Sequence, residues 1–149
     1  MAIKLYSLFS DWESIRQEMI DGVSDLKKDQ LNYIPPGGLN SIAGLLRHIA
    51  ETENWWVGDV ILGIPYKDIT REDAPGIRQI LACLEKSHEQ VVHVLKAATT
   101  DTWDKVYKIP QGHSFTLRWI VWHLFEHECR HRGQIFMLMR LQDIEPPNV

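Results

Sequence analysis

Cysteine is scarce in this chain: Cys83 and Cys129 are the only two in 149 residues. Their spacing fits neither a disulfide framework nor a thiolate metal site, so both are expected as reduced thiols. Positive charge is not in excess, with 16 Lys and Arg against 20 Asp and Glu and a formal net charge of -4. No cationic stripe is available to track phosphates, and nucleic acid is not an expected partner. Long apolar runs are also missing, since no segment approaches the roughly 20 residues of a membrane span. The stretch from Met1 to Ser10 lacks the basic start, apolar core and small-residue cleavage site of a secretory signal. A cytoplasmic protein without a membrane partner follows. No repeat, low-complexity tract or linker divides the chain, and its length suits one domain, 1–149, better than two.

Against those absences stands a strong helical pattern. Ser10-Asp11-Trp12-Glu13 has the spacing of a capping box, and Trp12, Ile15, Met19 and Val23 recur at helical intervals until Pro35-Pro36-Gly37-Gly38 stops them. A second helix is expected from Asn40 or Ser41 through Ile42, Leu45, Leu46, Ile49 and Trp56 towards Gly63-Ile64-Pro65. Asp73 is the expected cap of a third, with Pro75 in its first turn and Ile80, Leu84, Val91 and Leu95 on its apolar side. Val106-Tyr107-Lys108-Ile109 alternates like a short extended arm, and Thr116 is placed to cap a fourth helix that ends before Pro146-Pro147. Four such helices in one domain predict an all-α, antiparallel four-helix bundle, an architecture whose interior accommodates metal sites.

The informative residues are the histidines. His123, His127 and His131 follow one another at steps of four, and each such step turns a side chain by only about 40° around a helix axis. They form one stripe beside Ile120, Leu124 and Leu138. A lone histidine on an apolar face is ordinarily a hydrogen-bonded core residue, but several together each need a partner for a ring nitrogen, and a shared divalent ion supplies one to each. His48, inside Leu45-Leu46-Arg47-His48-Ile49, completes a three-histidine set if the second helix lies beside the fourth. His127-Glu128-Cys129-Arg130-His131 also fits H-E-x-x-H, the zincin pattern, although Glu128 lies about 100° around the helix from His127 and the chain ends soon afterwards.

Two blocks in this order, Asn40-Ser41-Ile42-Ala43-Gly44-Leu45-Leu46-Arg47-His48-Ile49-Ala50 and Thr116-Leu117-Arg118-Trp119-Ile120 with His123-Leu124-Phe125-Glu126-His127-Glu128 and His131-Arg132-Gly133-Gln134-Ile135, resemble the DinB/YfiT-like family over nearly the whole chain. The resemblance implies a four-helix bundle with an unusual connection order, commonly dimeric, with one nickel, zinc or iron ion between helices two and four. By match of position it makes His48, His127 and His131 the metal ligands. His123 falls where histidine is common without being required, and stands as a fourth ligand, a donor behind the ligands or a packing residue. His88, His93 and His113 match no metal position and read as ordinary exposed histidines. Glu126 and Glu128 read first as solvated surface charges, with support of an imidazole as the alternative, and Gln134 as a partner for a ligand ring. Gly133 reads as a site of close helix packing. Trp55, Trp56, Trp119 and Trp122 are core candidates before they are pocket or interface residues.

The resemblance further implies a metal-dependent S-transferase that uses a low-molecular-weight thiol such as bacillithiol or mycothiol, acts on a small-molecule substrate and forms a homodimer. A non-catalytic metal-binding stress-response protein is the alternative, and zincin-like hydrolysis the third reading. No residue is assigned a catalytic role.

Overall fold

The computed structural model describes residues 1–38 and 40–148 and is mostly helical. A 3-10 turn over Leu5–Phe9 leads into α1 (Trp12–Val23), followed by a short α2 (Lys28–Asn32), α3 (Ile42–Glu53), α4 (Ile77–Ala97) and α5 (Leu117–Arg140). Strands β1 (Val106–Lys108) and β2 (Ser114–Thr116) pair antiparallel, Tyr107 opposite Phe115, so the expected extended arm is one half of a hairpin. Where four helices were expected, the described residues carry five α-helices, because the first expected helix breaks after Val23 and restarts at Lys28. No described helix is long and apolar enough to cross a membrane.

Two caps behave as their residue types dictate. Ser41 Oγ accepts from the Gly44 amide at 3.1 Å, and Thr116 Oγ1 accepts from the Trp119 amide at 3.2 Å, each satisfying a donor that has no partner within its helix. Two others do not. Ser10 lies in a turn and α1 opens after Asp11 without a side-chain cap. Asp73 takes the amide and hydroxyl of Thr70 instead, and α4 starts after Gly76.

Beyond Glu53, α3 widens into a π-helical stretch, Asn54–Ile61. Each residue of a π turn advances around the axis by less than the 100° of an α-helix. Trp56 is thereby turned towards α5, where its ring meets Trp119 at 5.2 Å and His123 at 5.7 Å between centroids.

The buried apolar residues form two clusters. One gathers Met19, Val23, Ile49, Ala50, Leu84 and Ile135; the other gathers Phe9, Trp12, Trp56, Val91, Leu124 and Ile120. Between them each long helix contributes polar residues: Arg16 from α1, Glu53 from α3, Ser87 and His88 from α4, and His127 and Glu128 from α5. A polar layer therefore crosses the molecule between two apolar ones.

Candidate metal centre

α3 and α5 bring His48, His127 and His131 together, and their ligand atoms all lie within 4.8 Å of one another. His127 Nε2 is 3.1 Å from His48 Nε2 and 3.1 Å from His131 Nε2. Nitrogens bound at about 2.0–2.1 Å around a tetrahedral divalent ion stand about 3.3 Å apart, so the observed spacing suits a shared ion. A hydrogen-bonded chain accounts for it less well, since a neutral ring has one N–H and His127 Nε2 cannot donate to both neighbours. The three residues grade from exposed (His48) through half-buried (His131) to buried (His127), which leaves the cluster at the rim of the bundle rather than sealed within it.

Protonation also suits ligation. Burial, reinforced by the neighbouring His131, His48, His123 and Arg130, pushes the His127 ring down to about 3. Burial likewise lowers His131, against the opposing pull of Gln134. Both rings are therefore neutral near pH 7 with a lone pair to offer. Gln134 Oε1 lies 2.6 Å from His131 Nδ1; the oxygen can only accept, so Nδ1 carries the proton and Nε2 is left free to face the cluster.

His123 does not join the group. Its ring stacks on Trp119, 4.7 Å between centroids at 11°, and stands 5.8 Å from His127. Burial lowers its pKa too. Phe115 of β2 packs on Trp119 at 4.3 Å, and with Trp56 these rings make an aromatic wall on one side of the histidines. On the other side a groove of about 530 Å³ runs along α5 past Arg130, Gly133, Gln134, Met137 and Leu138. A larger groove of about 740 Å³ between α1 and α4 contains none of the three clustered histidines.

Several expectations need correction. Glu128 is not a solvated surface charge: it is buried, takes Trp12 Nε1 at 2.7 Å and Arg16 Nε and Nη2 at 2.9 and 2.6 Å, and makes no hydrogen bond to an imidazole of the cluster. Glu126 does face solvent, paired with Arg130. His88 is no ordinary exposed histidine, because its Nδ1 lies 3.0 Å from Glu53 Oε1 and only 12% of its side chain is accessible; His93 and His113 are exposed. Trp56 is buried, but Trp119 and Trp122 are about half exposed, at 41% and 52%, and Trp55 is half-buried. Gly133 has nothing near enough for close helix packing and opens onto the groove.

The buried ionic group around Arg16 was not read from the sequence. Arg16 Nη2 donates to Glu53 Oε1 at 2.6 Å, and Ser87 Oγ donates to Glu53 Oε2 at 2.5 Å. Burial by itself would lower the Arg16 pKa, but Glu53 and Glu128 outweigh it and hold the guanidinium above its ordinary value. Burial alone would raise Glu53, but Arg16, His88 and Ser87 outweigh it and keep the carboxyl below its ordinary value. The signal was present in the spacing: Arg16 lies four after Trp12 and three before Met19, and Glu53 four after Ile49 and three before Trp56, all on buried faces. Although Glu53, His88 and Glu128 lie close enough to ligate an ion, Arg16 already binds both carboxylates.

Residues 11–135 match the family model of the DinB superfamily. The chain belongs to the DinB superfamily. A DinB-like protein from Bacillus cereus, known from a crystal structure at 2.01 Å, shares the fold with a TM-score of 0.72 and 17% identity, over 100% of this chain and 99% of that one. No curated protein matches. In this DinB-superfamily chain the matched span contains both helical regions that carry the clustered histidines, His48 and the His127/His131 pair.

Proposed function

We propose that this DinB-superfamily protein binds one divalent ion of the nickel, zinc or iron kind through His48, His127 and His131, and is a metal-dependent S-transferase for a low-molecular-weight thiol. The observation that carries the reading is the convergence of three Nε2 atoms, two of the separations being 3.1 Å, with burial keeping the His127 and His131 rings neutral. An ion held by three imidazoles keeps a position for an exogenous ligand, and there it would act as a Lewis acid and lower the pKa of a thiol sulfur.

The chain's own residues supply the rest. Gln134 orients His131, and its side of α5 continues into the groove past Met137 and Leu138, an apolar bed for a small electrophile. The wall of Trp119, His123 and Phe115 closes the opposite side. A homodimer belongs to the same reading. Zincin-like hydrolysis is disfavoured by Glu128, whose oxygens are engaged by Trp12 and Arg16 in the core. Binding without turnover, as in a stress-response protein, keeps the same three ligands and differs in the second result below.

The test is metal analysis of tag-free protein followed by conjugation assays with several cellular thiols. About one ion per chain is expected, with occupancy greatly reduced in His48→Ala, His127→Ala and His131→Ala alike. Equal occupancy in all three variants would sink the site. Conjugation that requires both metal and thiol is expected; full occupancy with no turnover across the thiol panel would favour the non-catalytic reading.

A further inference from the structure

The proposed ligands come from two helices, and their convergence depends on how far apart α3 and α5 stand. The same two helices carry the buried carboxylates: Glu53 lies five residues after His48 on α3, and Glu128 directly follows His127 on α5. Arg16 of α1 spans them. Its Nη2 donates to Glu53 Oε1 and to Glu128 Oε2 at 2.6 Å each, its Nε to Glu128 Oε1 at 2.9 Å, and its Nη1 to the Leu84 carbonyl of α4 at 3.2 Å. Trp12 steadies Glu128, while Ser87 and His88 steady Glu53, so neither carboxylate is free to swing away.

Apolar burial is non-directional and tolerates small shifts of one helix against another. A guanidinium is a planar, rigid fork whose donors have fixed directions. Held by a carboxylate on each side, it sets a distance that packing alone leaves loose, and it does so beside His127. Replacing a buried ion pair by apolar groups of similar volume is often neutral or stabilising, so stability alone gives little reason for this arrangement.

We infer that Arg16 is a positioning residue for the metal centre: through Glu53 and Glu128 it holds α3 and α5 at the separation at which the His48, His127 and His131 nitrogens converge. The inference rests on the three-histidine reading above. It gives the Glu of the H-E-x-x-H pattern a task in spacing helices rather than in proton transfer.

Cobalt(II) is the probe, because its visible absorption reports ligand number and geometry without turnover. Binding and spectra are measured for the intact protein, Arg16→Lys, Arg16→Met and the triple variant Arg16→Met/Glu53→Gln/Glu128→Gln, with circular dichroism and thermal unfolding as checks on folding. The triple variant removes the bracket without leaving a buried unpaired charge, so it keeps the test decisive if Arg16→Met alone does not fold. It is expected to fold, to bind cobalt about 10–100-fold more weakly and to show an altered visible spectrum. Arg16→Lys is expected to recover part of the affinity. Leu95→Ala, which loosens the apolar cluster away from the bracket, is expected to keep the affinity and spectrum of the intact protein.

A triple variant with unchanged affinity and spectrum overturns the inference while leaving the three-histidine site standing. A triple variant that does not fold overturns it as well, because the bracket would then serve the fold rather than the site. Failure of the intact protein to bind cobalt removes the three-histidine reading, and this inference with it.

Discussion

Glu128 occupies the place where a zincin keeps its base, yet it is 1% exposed and held by Arg16 and Trp12. Charge counting ranks the variants of this group. Arg16→Met strands two buried carboxylates, and removing one partner of such a group costs about 3–5 kcal/mol. Glu128→Gln leaves Arg16 balanced by Glu53 and retains an oxygen for Trp12, so a markedly smaller loss is expected. Urea unfolding of the two variants checks the order, and a larger loss in Glu128→Gln would contradict the pairing. The histidine stripe was legible because its partners are four residues apart, within one helix. Arg16 and Glu128 are separated by 112 residues, and nothing local at either position names the other.

The helices show the same division between local and distant causes. Ser41 and Thr116 could be read as caps because cap and capped amide are three residues apart. Thr116→Ala is expected to cost about 1 kcal/mol through loss of that acceptor, seen as a lower midpoint of thermal unfolding. An unchanged midpoint would mean that the β2–α5 junction is held by the hairpin alone. Ser10 misled because Leu5 and Phe9 are buried in a 3-10 turn just before it, a tertiary demand that moves the start of α1. The π-helical stretch left no mark either: Trp55, Trp56, Val57, Val60 and Ile61 are apolar in sequence whatever the winding, and only the contact of Trp56 with α5 sets one of them apart.

For the molecule as a whole, the neutral buried histidines set an acid limit. His127 titrates at about 3 in the folded chain and near 6.5 when unfolded, so between those values the unfolded chain takes up a proton that the folded one does not. Stability of the metal-free protein should therefore fall as pH drops from about 6.5 towards 3. His131 and His123, also lowered by burial, act in the same direction. Thermal unfolding from pH 7.5 to 4 measures this, and His127→Gln should flatten the dependence between pH 6.5 and 5. An equal slope in that variant would assign the acid sensitivity elsewhere. At this scale the helical class, the family and the three histidines were all legible, because each rests on local periodicity or on residue blocks. The ionic layer was not, since it exists only once four helices meet.

That layer bears on the register in which the helices settle. Amphipathic helices admit several near-equivalent registers against one another, and a funnel with a clear gap requires the wrong ones to be penalised. Sliding α1 by one turn, about 5.4 Å, would carry the Arg16 guanidinium into one apolar cluster and strip Glu53 and Glu128 of their counter-charge. Shifted registers that bury just as much apolar surface are thus disfavoured by charge. The Arg16 layer thereby favours one helix register among those that apolar burial leaves nearly equal.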